Sequence, residues 1–95
     1  MSLSIIATIV AQTEHRETVL QALTAMLAPT RAEAGCRQYD LHVDQSDPNR
    51  LVMIERWSDD AALDAHIATS HMAQLKAVIA DKTAGIDIQR LTHVA

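Results

Sequence analysis

Hydrophobic residues in this chain follow two different spacings, and the order of these spacings limits the fold more than any other feature. Residues 3–11 are β-rich and apolar on both faces, which is typical of a central strand. Residues 36–44 and 50–57 alternate between their two faces, and the turn sequence "QSDPN" separates them. These segments predict an antiparallel hairpin, and residues 86–94 predict a last strand.

A helical spacing of apolar residues fills the interval between the first strand and the hairpin. Thr13 is the predicted N-cap, and Pro29 is expected to kink or break the helix because it lacks a backbone donor. Gly35 is expected to end the segment, as glycine often does after a helix. In the strand that follows, alternation places Cys36 on the face opposite Tyr39.

A second helical segment follows the hairpin. Ser58 is its predicted N-cap, the helix restarts at Thr69 or Ser70, and Gly85 is expected to stop it. The resulting order β-α-β-β-α-β predicts an α+β, ferredoxin-like fold, in which helices cover one face of a four-stranded antiparallel sheet. The other face is partly apolar, and a chain of 95 residues with one Trp, one Tyr and no Phe has a thin core. We therefore expect a homodimer that covers this face.

Charge and cysteine content narrow the possible partners. Twelve acidic residues against eight basic ones give a net charge of −4, without any run of Lys or Arg, so nucleic acid and anionic membranes are not expected to bind. Cys36 is the only cysteine, which excludes an internal disulfide and a cysteine metal cluster. The apolar start of the chain lacks a basic leader and a cleavage site, and no apolar run approaches the ~20 residues of a membrane span. A cytoplasmic location is expected.

Three chemically distinctive side chains stand close together in the stretch "ERWSDDAALDAH". Strand alternation puts Glu55 and Trp57 on one face, and His66 lies two to three turns into the following helix. If that helix folds back over the same face, these three residues bound one cleft, with Tyr39 and Met72 near its rim.

Each of these three residues also has a purely structural interpretation. Trp57 could be a core residue, and His66 a helix histidine with its hydrogen bonds satisfied. Glu55 could form a salt bridge to Arg37 or to Arg56 of another chain, because a carboxylate in an apolar strand needs a partner.

Neither a metal nor an organic cofactor is expected from the motifs. His66 and His71 are five residues apart, which would place them roughly 140° apart on a continuous helix. The chain has no H-E-x-x-H motif and no cysteine pair, so a His-Glu site assembled from distant strands is the one metal site that stays open. Gly35 and Gly85 are the only glycines, so no glycine-rich loop is present to hold a dinucleotide.

The stretches "EAGCRQYDL" and "VMIERWSDDAALDAHIATSHM" resemble the antibiotic biosynthesis monooxygenase family. The matching motif residues are Glu33, Gly35, Cys36, Tyr39, Glu55, Trp57, His66, His71 and Met72. The resemblance is close over residues 33–72 and implies a single domain of this family over residues 1–95. It also implies a dimeric α+β barrel, in which two sheets pack face to face.

The resemblance implies several possible activities. The nearest group contains small bacterial quinol monooxygenases that work without metal, flavin or haem, while other members isomerise a phosphorylated signalling sugar or degrade haem. Haem is not the expected substrate, since Lys76 occupies the position of the family's haem-ligating His. Ala7 and Thr8 likewise stand where the haem-degrading members have an Asn.

The residues suit oxygenation without a cofactor, in which a deprotonated quinol or phenol itself reduces O₂. His66 is the expected catalytic base, because an imidazole ordinarily titrates near neutral pH. Glu55 either orients His66 or is itself the base, and Trp57 supplies a flat wall for an aromatic ring. The expected substrate-binding residues are Tyr39, Met53, Met72 and His71.

Two other functions stay open on the same fold. One is an isomerase of small carbonyl compounds, which Arg or Lys in the pocket would favour because a substrate phosphate needs a cation. The other is a dimeric ligand-binding or stress protein without activity, which a purely apolar pocket with His66 turned away would favour. Fold alone does not separate these functions.

Overall fold

The computed structural model describes residues 2–95. The strands are β1 (Leu3–Ala11), β2 (Cys36–Val43), β3 (Arg50–Trp57) and β4 (Thr83–Thr92). The helices are α1 (Arg16–Ala25), α2 (Leu27–Arg31), α3 (Asp60–Ile67) and α4 (Ser70–Ile79), with a 3₁₀ turn at Thr13–His15. The strands form one antiparallel sheet in the order β2-β3-β1-β4, which confirms the predicted ferredoxin-like α+β fold.

β1 lies between β3 and β4, as its two apolar faces predicted. Its odd-numbered residues are buried on the helix side, and its even-numbered residues are half-buried on the other side. Ile6 of β1 there opposes Ile54 of β3, so the face predicted to meet a second copy carries apolar side chains.

Pro29 explains the break in the first helical segment. α1 ends at Ala25, and Pro29 has no N–H to donate to the Ala25 carbonyl, so the helical hydrogen bonds are interrupted around Met26. The predicted cap at Thr13 is wrong: this residue opens the 3₁₀ turn, and its Oγ1 accepts a hydrogen bond from Nδ2 of Asn49 at 2.9 Å.

Gly35 is required for a different reason from the one the sequence suggested. Its φ is not positive, so it is not a left-handed helix cap. A side chain at this position would instead collide with Ala62 of α3, and its carbonyl accepts a hydrogen bond from the Ser58 N–H at 2.9 Å. Gly35 therefore allows α3 to pack closely against the start of β2.

A β-bulge at Arg37 overturns the predicted orientation of Cys36. Cys36 pairs with Trp57, but the next pair is Gln38 with Arg56, so Arg37 is an extra residue in β2. The bulge brings Cys36 to the same, helix-covered face as Tyr39.

The second helical segment consists of α3 and α4, and a side chain caps the N-terminus of each helix. Asp59, and not Ser58 as predicted, caps α3 by accepting a hydrogen bond from the Ala62 N–H at 2.8 Å. Thr69, one of the two residues predicted to restart the helix, caps α4 by accepting a hydrogen bond from the Met72 N–H at 3.3 Å. The two caps mark α3 and α4 as separate helices.

β4 is an edge strand with little buried surface. It begins at Thr83 instead of Ile86, so Gly85 lies inside the strand and does not end the helix. Ile86 and Ile88 lie on the helix side of the sheet, yet they are 54% and 56% exposed. Among residues 2–95, no helix is long and apolar enough to cross a membrane.

Candidate active site

Glu55 is a buried carboxyl group held by the chain's only indole. The Nε1–H of Trp57 donates a hydrogen bond to Oε1 of Glu55 at 2.9 Å. Burial raises the pKa of Glu55 from 4.5 to about 7, although the hydrogen bond from Trp57 acts in the opposite direction. In the part of the chain that the structure describes, Glu55 makes no salt bridge, to Arg37 or to any other cation.

His66 of α3 is almost fully buried, with 2% of its surface exposed. Its ring lies over the indole of Trp57, with centroids 4.6 Å apart, and Tyr39 approaches edge-on at 5.6 Å. Nδ1 of His66 lies 2.8 Å from Oε2 of Glu33. Because an ionised carboxylate only accepts hydrogen bonds, Nδ1 is assigned as the donor and Nε2 is the ring nitrogen left to accept a proton.

Glu33 therefore orients His66, whereas the sequence had offered Glu55 for that role. Glu33 lies in the loop between α2 and β2, 33 residues before His66, so no local spacing links the two. The only available signal was the position of Glu33 in the motif "EAGC".

His71 reaches the same carboxylate from the start of α4. Its Nε2 lies 2.8 Å from Oε2 of Glu33, so both imidazoles bond to one oxygen. The expected 140° separation of the two histidines assumed a continuous helix. That expectation is wrong, because the chain leaves α3 after Ile67 and restarts at the Thr69 cap.

A cavity of about 250 Å³ lies between the sheet and the second helical segment. Its lining residues are Ile5, Glu55, Leu63, His66, Ile67, Met72, Lys76, Ile88 and Arg90. The lining is mainly apolar, with two proton-handling groups and two cations. Arg90 also forms an exposed salt bridge to Asp60 at 3.2 Å.

The other residues proposed from the sequence lie behind this lining. Trp57 is fully buried and His66 lies over its ring, so its indole is not a wall of the cavity as predicted. Tyr39 and Met53 are also buried outside the lining, and Tyr39 is therefore not at the rim. His71 is on the Glu33 side of His66, so Met72 is the one expected substrate-binding residue that lines the cavity.

Tyr39 is buried as a neutral phenol. Burial, with a smaller contribution from the charge of Glu55, raises the pKa of Tyr39 well above its usual value. Its role here is to pack against the rings of Trp57 and His66.

The fold and the motif residues define a class of small monooxygenase-like domains, and the sequence comparison identifies it. Residues 2–78 match the family model "Antibiotic biosynthesis monooxygenase", so the chain belongs to this family. The Mycobacterium tuberculosis protein named "Putative monooxygenase Rv0793" is 36% identical over 78 residues, which cover 82% of this chain and 76% of the relative.

Two further comparisons give a similar protein and a similar solved structure. The Escherichia coli K12 protein named "Probable quinol monooxygenase YgiN" is 35% identical over 66 residues, covering 61% of this chain and 64% of the relative. The crystal structure of PA3566 from Pseudomonas aeruginosa superimposes with a TM-score of 0.95 at 42% identity, covering 99% of this chain and 95% of that one.

Proposed function

We propose that this protein is a cofactor-independent monooxygenase that oxidises a quinol or a related phenol with O₂. The observation that carries the proposal is the pairing of His66 with Glu33, which leaves the second ring nitrogen of His66 to act as a base. His66 lines the cavity together with Glu55, so two proton acceptors border the same apolar space. A relative named as a quinol monooxygenase supports the choice of substrate class.

In this proposal, His66 removes the first phenolic proton, and Glu33 stabilises the imidazolium through Nδ1. Glu55 accepts the second proton, for which the raised pKa of about 7 suits it. The electron-rich anion passes electrons to O₂, and one oxygen atom forms a new C–O bond. The O–O bond breaks, and the other oxygen leaves as water with the two protons that His66 and Glu55 return. Overall, a hydroquinone and O₂ give a hydroxyquinone and water.

The test is oxygen uptake with a panel of hydroquinones and simple phenols. The substitution His66→Ala should lower turnover by about 10²–10⁴, the usual contribution of a general base. His42→Ala is the control, because His42 is exposed on β2, outside the cavity lining. Saturable quenching of Trp57 fluorescence by menadione separates lost binding from lost chemistry. Full turnover by His66→Ala would refute the role of His66.

A second function, isomerisation of a small phosphorylated carbonyl compound, is favoured by one observation. Lys76 and Arg90 both line the cavity, and a substrate phosphate needs such cations. Isomerisation consumes no O₂, so turnover of a sugar phosphate under anaerobic conditions would favour this function over oxygenation. The non-enzymatic alternative has less support, because the lining is not purely apolar and includes His66.

We also propose that two copies form the dimeric barrel and that the protein acts in the cytoplasm. The half-buried apolar side chains on the sheet face away from the helices support the dimer. Neither feature is needed for the base chemistry at His66.

A further inference from the structure

Three side chains, Glu33, His66 and His71, bring three metal-ligand atoms together and are here called the Glu-His-His cluster. We propose that this cluster binds one Zn²⁺ ion, or a similar divalent transition metal ion, and that the bound ion switches off the catalytic base. The metal-binding part of this proposal is independent of the proposed function, whereas the inhibition part rests on the proposed function.

The donor atoms of the cluster are those of a zinc site. Two imidazole nitrogens and one carboxylate oxygen form a His₂Glu set, which leaves a fourth tetrahedral position for water. These donors select against Ca²⁺ and Mg²⁺, which prefer sites built from oxygen.

Moderate side-chain movements would bring the donor atoms to zinc distances. The three ligand atoms lie within 4.8 Å of one another, and each imidazole nitrogen is 2.8 Å from Oε2 of Glu33. Tetrahedral zinc with bonds of ~2.0–2.1 Å holds its ligand atoms roughly 3.3–3.4 Å apart. Each nitrogen must therefore move away from the oxygen by about 0.5 Å, and the two nitrogens must approach each other by up to about 1.4 Å. Rotation of the His71 and Glu33 side chains, which are not fully buried, can supply these movements.

The three ligands come from three segments and are held in place before any ion binds. Glu33 comes from the loop before β2, His66 from α3, and His71 from the first turn of α4. The His66 ring is fixed against Trp57, and the shared carboxylate holds the two imidazoles together. Such preorganisation lowers the entropy cost of binding.

An ion can reach the cluster without passing through the substrate cavity. The side chains of Glu33 and His71 are 15% and 21% exposed, whereas that of His66 is 2% exposed. Glu33 and His71 do not line the cavity, so the ion would sit on the other side of His66 from the substrate. It would not touch the reacting atoms.

The consequence for His66 follows from its tautomers. An ion bound to Nδ1 requires a neutral ring to carry its hydrogen on Nε2. That nitrogen then donates a hydrogen bond and no longer accepts a proton from a phenol. The ion also takes the carboxylate of Glu33, which otherwise stabilises the imidazolium.

The binding test uses tag-free protein that has been dialysed against a chelator. Zn²⁺ is titrated in competition with a chromophoric chelator, and Co²⁺ is followed by its visible absorption. We expect one ion per chain. Glu33→Gln and His71→Ala should each weaken binding by at least about 100-fold, since loss of an outer-shell partner alone costs 10–100-fold.

The matched control is His42→Ala, which removes an exposed imidazole on β2 and should leave the affinity unchanged. Circular dichroism verifies that each variant is folded. Absence of stoichiometric binding would overturn the metal site. Binding that survives both Glu33→Gln and His71→Ala would also overturn it, because the ion would then lie elsewhere.

The inhibition test measures oxygen uptake with and without Zn²⁺. Stoichiometric Zn²⁺ should abolish turnover of the wild-type chain, and the chelator should restore it. The His71→Ala variant, compared with its own metal-free rate, should resist the same Zn²⁺ concentration. Stimulation by the ion would overturn the inhibition. If no substrate is turned over at all, the proposed function fails while the binding experiment still decides the metal site.

Discussion

A buried carboxyl group is the most unusual single residue of this chain. Glu55 is 6% exposed, and among residues 2–95 its hydrogen-bond donor is Trp57 and not a cation. Because its pKa is raised to about 7, the neutral form is strongly favoured by the fold at acidic pH. The apolar cavity beside it thus borders a group that changes charge within the physiological range.

The raised pKa of Glu55 predicts how the free energy of unfolding depends on pH. The pKa of Glu55 rises from its ordinary 4.5 in the unfolded chain to about 7 in the folded one, so the folded chain binds more protons between these values. The stabilisation that comes from protonating Glu55 in the folded chain is present in full below pH 4.5 and is lost as the pH rises through 7. The loss amounts to at most about 3 kcal/mol.

Glu55→Gln keeps a neutral acceptor for Trp57 and should remove this dependence. The variant should be more stable than the wild-type chain at pH 8 and similar to it at low pH. Urea unfolding across pH checks this, with the exposed Glu14→Gln as control. Equal stability of variant and wild type at pH 8 would show that burial of the ionised Glu55 does not destabilise the fold.

The break between α3 and α4 is the element that builds the site. Without it, His66 and His71 would lie on different helix faces, and only one could bond to Glu33. The Thr69 cap makes the restart favourable, and Asp59 fixes the beginning of α3. Helix α3 can lie close to the loop that carries Glu33 because Gly35 has no side chain.

A methyl group at Gly35 should therefore destabilise the fold. The added Cβ of Gly35→Ala would overlap Ala62 and lie 2.9 Å from Oγ of Ser58. We expect a loss of about 1–3 kcal/mol, typical of overpacking, measured by urea unfolding. Gly85→Ala is the matched control, because a Cβ there meets nothing within 4 Å. Equal effects of the two substitutions would contradict this explanation of Gly35.

The element order was predictable because hydrophobic spacing determines it, as β1 and the hairpin demonstrate. The features that the sequence did not predict have local causes. The bulge at Arg37 changes the face of Cys36 without any change in composition. The sequence did not predict Glu33 as the partner of His66, because a loop brings the two together. Trp57 was predicted to form the cavity wall, because residue spacing does not reveal that His66 covers the indole.

At the scale of the whole molecule, the part of the chain that the structure describes leaves apolar side chains half-buried on one sheet face and exposed on one edge strand. Ile6 and Ile54 meet on the face away from the helices, and Ile86, Ile88 and Leu91 of β4 are exposed. Surfaces of this kind mark interaction sites in small proteins. A second copy of the chain would cover the sheet face.

The expected assembly is a homodimer at micromolar concentration, measured by analytical ultracentrifugation. Ile54→Glu puts a charge on the sheet face and should shift the protein towards the monomer. Val78→Glu is the control, because Val78 is exposed on α4, away from that face. A wild-type monomer, or a dimer that Ile54→Glu leaves intact, would refute this interface.

β4 lines the cavity and is also exposed along most of its length. It contributes Ile88 and Arg90 to the cavity, yet from residue 84 onwards it is exposed, and it lies beyond residue 78, where the family match ends. Substitutions at exposed positions usually change stability by no more than about 0.5 kcal/mol. The lining of the cavity can therefore change through exchanges of side chains on one edge strand, while the core and the Glu33–His66 pair remain untouched.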